Sequence, residues 1–590
     1  MERLRGNLSL LLIWVGVCAV LILVNRGQIV TGIGWDPDDQ LRMVQLRDWL
    51  GGQSWFDTTQ YRVGEPDSQP MHWPRWIELP LAAVVLFLKP IFGVAAAETA
   101  AMVIVPLLTL GIAMWLVAKI SEQVFDRKIA LLAAALTATA VAVVAQIRPM
   151  RVDHHGWQIV LALTALWTIF WPDKRKGGLA LGATLAFWLS ISLEGLPLSV
   201  AFVILLTLRW LFQTAEGVRL FWTLLSFLLS SFILYLAAHG GFDILINYCD
   251  ALSPAHLMAC AAGAAIILPA IKFLPPSIAL RIASVVVAGG TALALFHTHA
   301  PQCVGGAFTT MDPLVREYWL VNVLEGLPIW YQKWKTVVTL LGGSIVVGLG
   351  SLIYIWRVRP DGIDRSKLFV LGYAFLWALV LSLFVQRATA VAAAFALPFM
   401  AWAVHQAFVK ARSLKYPVSR ILATAAVVCL VLPGPLAIGL FNLVAADDQI
   451  PEKMADGASC GDDDSLAQLN ALPRSNIVAP FDFGPRILLL TPHNVLATSH
   501  HRNDKAMSDQ IRIFTSAPDV ARRLLDMHNI RFIVACDAEA ELDSYARTHP
   551  DGLWAQLANG YNPAWLQPVH FRDSGLKLWR MPSKELLNAM

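Results

Sequence analysis

Charge is what this sequence has least of. Lys, Arg, Asp and Glu make up 15% of its 590 residues, against roughly 25% in soluble globular chains. Hydrophobic residues reach 56%, and the mean hydropathy is +0.56. A chain so poor in polar groups cannot cover its apolar surface, which argues against a soluble enzyme, a disordered protein and a collagen-like fibre. Neither sign is in excess, with 46 basic residues against 42 acidic ones. That balance removes any bulk argument for nucleic-acid binding. No internal repeat, no low-complexity tract and no Gly-rich phosphate loop of the known types is visible.

What the sequence does have is apolar runs of bilayer length, about 20 residues per helical span. The first, residues 8–24, follows Arg3 and Arg5 as a signal peptide would, but no small-x-small cleavage site precedes Asn25-Arg26. It reads as a retained helix with a cytoplasmic N-terminus. Further spans are expected near 100–117, 129–144, 157–171, 179–193, 198–211, 221–237, 257–274, 278–296, 337–356, 368–385, 388–404 and 421–443, about thirteen in all.

Residues 77–92 are apolar but short, and they contain Lys89. If they do not span, the basic clusters at 119–128, 174–176, 209–219, 272–281, 357–367 and 410–420 all fall on the cytoplasmic side. If they do, the positive-inside pattern fails, so this piece is expected to be re-entrant or interfacial. The expected architecture is mainly α. A polytopic helix bundle (1–445) lies in the inner (plasma) membrane, followed by a periplasmic α/β domain (446–590). In the latter, strand-like runs at 476–479, 494–497 and 531–536 alternate with helical stretches at 517–528 and 538–547. Cys460 and Cys536 lie in that domain, and Cys249 and Cys303 in external loops. An oxidising compartment permits a disulfide in either place, but spacing alone cannot pair the thiols.

The unusual chemistry concentrates in the external loops. The first holds Trp35-Asp36-Pro37-Asp38-Asp39-Gln40-Leu41-Arg42. Asp before Pro is a helix N-cap signature, so capping competes with catalysis there. The second holds Arg151-Val152-Asp153-His154-His155. Asp153 could cap the next helix, but capping does not need two histidines. Asp-x-His offers an oxygen and a nitrogen to one divalent ion such as Mn²⁺ or Mg²⁺. Glu325 stands in an otherwise apolar stretch, where a carboxylate is costly unless paired or metal-bound. Arg387 opens a helix at its outer end, where it can snorkel or hold a phosphate. Arg148 and Arg151 add positive charge on the same side, against the positive-inside trend.

Together these pieces resemble the catalytic subunit of oligosaccharyltransferases and the wider GT-C class of membrane glycosyltransferases. The similarity is one of order and spacing along nearly the whole chain. Asp36, Pro37 and Arg42 match the family's Asp-Pro…Arg signature, and Asp153-His154-His155 its Asp-x-His form. Asn322-Val323-Leu324-Glu325 resembles its Ser-Val-Ser-Glu motif, and Arg387 its late-helix arginine. The family's Trp-Trp-Asp-Tyr-Gly acceptor motif has only Pro480-Phe481-Asp482-Phe483-Gly484 as counterpart. Both tryptophans are missing, and a strand end with a turn explains the segment equally well.

The resemblance implies a donor sugar on a polyprenyl phosphate or diphosphate in the bilayer, and a protein or glycolipid acceptor. It implies a divalent ion held by Asp36, Asp153, His155 and Glu325, with Asp36 and Glu325 activating the acceptor. Arg387, Arg148 and Arg151 would then hold the donor phosphate, and Asp482 would touch the acceptor. A lipid-linked sugar transporter is the competing class. Its ionisable residues belong near the bilayer midplane and its halves repeat, whereas here the acids lie in outer loops.

Overall fold

The computed structural model describes residues 2–240, 244–431, 463–536, 539–570 and 575–582. The chain forms two compact units. One comprises Met1–Val30, Trp73–Thr309 and Leu324–Ala445, and the other Thr31–His72, Thr310–Val323 and Ala446–Met590. Two loop segments from the first 445 residues therefore fold with the C-terminal part.

The first unit is helical, as a chain in lipid must be to satisfy its own backbone. Among the described residues, nine helices are long and apolar enough to cross a membrane. These are Asn7–Val24, Val94–Val124, Leu193–Phe212, Thr214–Ala238, Pro254–Phe273, Ile278–His299, Trp334–Val358, Arg365–Phe384 and Gln386–Arg412. The chain is a multi-pass membrane protein.

The other expected spans are shorter, interrupted or more charged. Residues 129–144 split into Arg127–Thr137 and Val141–Val144. At the break Thr137 and Thr139 turn their hydroxyls back onto the carbonyls of Ala133 and Leu136, at 3.1 and 2.9 Å. Residues 157–171 form the 15-residue helix His155–Ile169, and 179–193 the helix Lys174–Ile191. Beyond the helix Pro417–Val431, the last expected span lies outside the described residues. Residues 77–92 form one helix, Glu78–Phe92, which contains Pro90.

The core runs along Thr389–Arg412, which is buried without a break from Thr389 to Trp402. A helix apolar on all sides belongs inside a bundle. Phe375, Phe395, Phe399, Leu166 and Met114 fill the same core with no exposed surface. Elsewhere small residues allow helices to close in. A Cβ on Gly182 would stand 2.3 Å from the Thr223 carbonyl oxygen, and one on Gly178 2.6 Å from that of Arg219. The helices Lys174–Ile191 and Gly217–Ala238 therefore pack backbone to backbone along this face. Cys249 and Cys303 form a disulfide, one of the two outcomes the spacing left open.

The second unit carries a five-stranded mixed sheet. Its strands are β1 (Asn476–Val478), β2 (Asn494–Val495), β3 (Ile530–Cys536), β4 (Gln567–Val569) and β5 (Leu576–Arg580), in the order β2-β1-β3-β5-β4. β1 runs parallel to β2 and β3, while β5 is antiparallel to β3 and β4. The expected helical stretches are Pro518–Met527 and Ala540–Thr548. Cys536 is disulfide-bonded, and the other cysteine expected here, Cys460, lies outside the described residues.

The first-loop segment extends this sheet. Gly64 N–H donates to the Val495 carbonyl at 3.0 Å, and Val495 N–H to that of Arg62 at 2.9 Å. The Arg62 guanidinium donates four bonds of 2.6 to 3.2 Å to the carbonyls of Leu488, Thr491 and His493. They cover the C-terminal end of the helix Gly484–Leu490, where such groups lack intrahelical partners.

Candidate functional site in the first unit

Four separate segments of the first unit bring their ionisable side chains together. Asp153 precedes the helix His155–Ile169 but does not cap it: His154 stands at the N-cap without a side-chain capping bond. Its carboxylate instead faces the two histidines, Oδ1 at 2.6 Å from His154 Nδ1 and Oδ2 at 3.1 Å from His155 Nε2. All three residues are buried. Arg151 Nη2 lies 4.0 Å from the same carboxylate and 3.3 Å from Gln146 Oε1. Arg148 follows Ile147 in the same loop, and its carbonyl accepts from Arg151 N–H at 3.1 Å.

The second segment supplies a residue that motif matching missed. Glu194 sits in a 3₁₀ turn, Leu193–Gly195, whose Ser192 hydroxyl accepts the Glu194 N–H at 3.3 Å. Gln158 donates to its Oε2 at 2.7 Å, and His154 Nε2 and His155 Nδ1 lie 3.5 and 3.7 Å from that oxygen. The third segment is the 3₁₀ turn Leu324–Gly326 with Glu325. The fourth is Arg387, in the turn Gln386–Ala388. Arg387 Nη2 meets Glu325 Oε1 at 2.9 Å while Nη1 pairs with Glu194 Oε1, so one guanidinium bridges both acids. Glu325 Oε1 is also 3.7 Å from His155 Nε2.

A signal for Glu194 was present. Leu-Glu-Gly-Leu-Pro occurs at 193–197 and again at 324–328, as a short repeat within a chain that otherwise shows none. Both copies fold into the same turn and present their glutamate to the same arginine.

The charges stabilise one another. Burial alone would raise the Asp153 carboxyl, but His154, His155 and Arg151 hold it well below the usual carboxylate range. Burial disfavours the His154 imidazolium, yet Asp153 and Glu194 push its pKa up to about 9. The Glu325 carboxyl, a third exposed, also feels burial as a raising effect. Arg387 and His155 outweigh it and hold the pKa down to about 2.

The donor set fits a divalent ion. Asp153, His154 and His155 each offer one ligand atom, all within 4.8 Å of one another. The buried Nε2 atoms of His154 and His155 form no hydrogen bond among the described residues. An oxygen beside two imidazole nitrogens is a mixed set that first-row divalent ions accept.

The remaining expected site residues lie in the second unit. Asp36 caps the helix Pro37–Leu50 through a reciprocal box with Asp39, at 3.0 and 3.3 Å. Asp482 is exposed in the turn between β1 and the helix Gly484–Leu490. Phe483 and Gly484 there return their N–H groups to the Pro480 carbonyl, so the segment is a strand end with a turn. His493 is fully buried, between the Leu469 carbonyl and the Ser475 N–H, as a structural residue.

The sequence matches no protein-family model and no curated protein. Its fold is the GT-C membrane fold, and it resembles the catalytic subunit of oligosaccharyltransferases. The archaeal oligosaccharyltransferase AglB of Archaeoglobus fulgidus, solved with an inhibitory peptide and a dolichol-phosphate, superposes with a TM-score of 0.64. Identity is 14%, over 91% of this chain and 70% of that one. The Archaeoglobus fulgidus enzyme tethered to an acceptor peptide containing the NVT sequon gives 0.61 and 15%, over 97% and 74%. Its complex with zinc and sulfate gives 0.57 and 15%, over 98% and 74%. At such identities the likeness defines the fold.

Proposed function

We propose that the chain is an integral membrane glycosyltransferase. It moves a sugar or oligosaccharide from a polyprenyl-(di)phosphate donor to an acceptor at the outer face of the membrane. The reaction is metal-assisted and inverting, as in oligosaccharyltransferases. The observation that carries this reading is the meeting of Asp153, His155, Glu325 and Arg387 from separate segments of a GT-C fold. A carboxylate–imidazole donor set stands beside an arginine. That pairing suits a substrate whose phosphate departs as a sugar is transferred.

The division of labour follows from the chemistry of each group. Arg387 holds the lipid phosphate through paired N–H donors, assisted by Arg151 and Arg148. Asp153 and His155, with Glu325, would hold Mn²⁺ or Mg²⁺. Bound there, the ion supplies Lewis-acid screening of the departing phosphate. Asp36 and Glu325 orient the acceptor nucleophile and take its proton. In-line attack on the anomeric carbon then inverts it. Asp482 is proposed to contact the acceptor. The missing tryptophans around it favour keeping a cell-surface glycolipid or polysaccharide beside protein asparagine as the acceptor class.

Incubating the purified protein in detergent with a polyprenyl-linked sugar tests the reaction class. Transfer that stops with a chelator and returns with Mn²⁺ is expected. Lipid scrambling in vesicles without any new glycosidic bond would instead identify a flippase. Mass spectrometry of periplasmic proteins and of lipopolysaccharide from a deletion strain separates the two acceptor classes.

A further inference from the structure

Arg387 is the group the proposed reaction needs for phosphate, yet both its terminal nitrogens already face carboxylates. A phosphate that takes the same N–H donors must exchange with one of them. The two acids come from identical Leu-Glu-Gly-Leu-Pro turns, but they are not equally anchored. Glu194 Oε2 accepts a 2.7 Å bond from Gln158, and the Gln158 amide oxygen lies 3.5 Å from the indole N–H of buried Trp188. His154 and His155 stand on the same oxygen. Among the described residues, Glu325 has besides Arg387 only a long, 3.7 Å approach to His155 Nε2.

We infer that Glu194 is the fixed partner that aims the Arg387 guanidinium, and that Glu325 is the exchangeable partner that yields it to an incoming phosphate. The inference rests on the proposed phosphate role of Arg387. Glu194 is thus a positioning residue. Its carboxylate takes Nη1 and keeps the planar fork in one orientation, with the Nη2 edge turned to Glu325. Phosphate oxygens can replace Glu325 Oε1 on that edge, because both anions match the donor geometry of arginine.

The two glutamates therefore act on phosphate binding with opposite signs. Removing the charge of Glu194 frees the guanidinium to swing and weakens binding, whereas removing that of Glu325 abolishes a competitor and strengthens it. The test measures the Kd of a long-chain polyprenyl phosphate for the full-length protein in detergent, in chelator-treated buffer, with the uncharged polyprenol as control. E194Q is expected to raise the Kd about tenfold, E325Q to lower it about threefold, and neither to change polyprenol binding. E194D, which keeps the charge but shortens the reach, gives an intermediate weakening and carries the test if E194Q does not fold. Equal shifts in the same direction, no shift for E194Q, or a parallel change with polyprenol would overturn the inference. R387Q distinguishes this failure from that of the underlying reading. If R387Q binds polyprenyl phosphate as well as wild type, the phosphate role of Arg387 is itself wrong. If R387Q loses binding while the glutamate variants fail to diverge, only the fixed-and-exchangeable assignment falls.

Discussion

Arg62 in the second unit and Arg387 in the first are both half-buried arginines bonded through their guanidinium groups, and they serve opposite ends. Arg62 donates to backbone carbonyls that have no other use and cannot leave. Arg387 donates to side-chain carboxylates on separate turns. A carbonyl-saturated arginine is a rivet for the chain. A carboxylate-held arginine is a site whose partner another anion can replace. The same contrast runs through the acids. Asp36 spends its carboxylate on a helix cap, while Asp153 stands one step before a helix N-cap and turns to two imidazoles.

The largest expected effect lies on the chemical side of the contrast. Asp153→Ala should lower transfer about 10²–10³-fold, the usual loss when a group aimed at developing charge is removed. The thermal midpoint should also fall, because His154 and Arg151 lose their buried counter-charge, so transfer is compared per folded molecule. Sugar transfer at the wild-type rate would show that Asp153 is merely structural. Asp36→Ala sharpens the comparison, because its cap alone is worth about 1 kcal/mol. A transfer loss well beyond what that destabilisation explains would place Asp36 with Asp153 rather than with Arg62.

Arg62→Ala should reverse the pattern. It strands four carbonyl bonds and should cost about 2–4 kcal/mol of stability in the second unit. Transfer per folded molecule should remain. Differential hydrogen exchange at β1 and β2 would check this, and an unchanged exchange pattern would refute the rivet. Gly182→Ala is a purely steric probe. Its methyl group would meet the Thr223 carbonyl, so a loss of about 1–3 kcal/mol is expected in detergent melting.

The smallest effect concerns pH. In the second unit Glu541 accepts from the Phe481 N–H at 2.9 Å and the Tyr545 hydroxyl at 3.0 Å. Burial pushes its pKa up to about 8, and neighbouring Asp482 and Glu539 add to the rise. The folded state thus favours the neutral acid. Its contribution is fully present below the unfolded value of about 4.3, and is lost as pH rises from there through about 8. Glu541→Gln should raise the melting point by about 3 °C at pH 9 and leave it nearly unchanged at pH 4. An equal shift at both values would rule out titration as the cause.

Much of the site could be read in the chain because its motifs are local. Asp153 and His155 are two residues apart, and Arg387 stands at a helix end, so spacing alone marked them. Glu194 was missed because its partners are distant. Gln158, Glu325 and Arg387 lie 36, 131 and 193 residues away, beyond the range of any periodicity. The repeated pentapeptide was the one local trace of it. In the fold, long apolar runs marked the nine helices long and apolar enough to span among the described residues, fewer than the thirteen expected. Residues 129–144 are broken: the helix stops at Thr137 and resumes at Val141, an interruption that hydropathy does not register. β4 and β5 were not read from the sequence: β4 carries a proline, and β5 interleaves apolar and basic residues beside no turn signal that was recognised.

The sequence by itself determined that this chain lives in a membrane, because composition fixes what solvent a surface can face. It also determined which loops hold rare ionisable groups, and that the Asp-Pro step at 36–37 carries a helix-cap signature, since capping depends on residues within one turn. Only the tertiary structure decided which of those groups meet. It seated Arg62 on a helix end and Arg387 between two glutamates, and it turned Asp153 away from the helix it precedes. Such pairings depend on where distant segments cross, and packing, rather than spacing along the chain, sets those crossings.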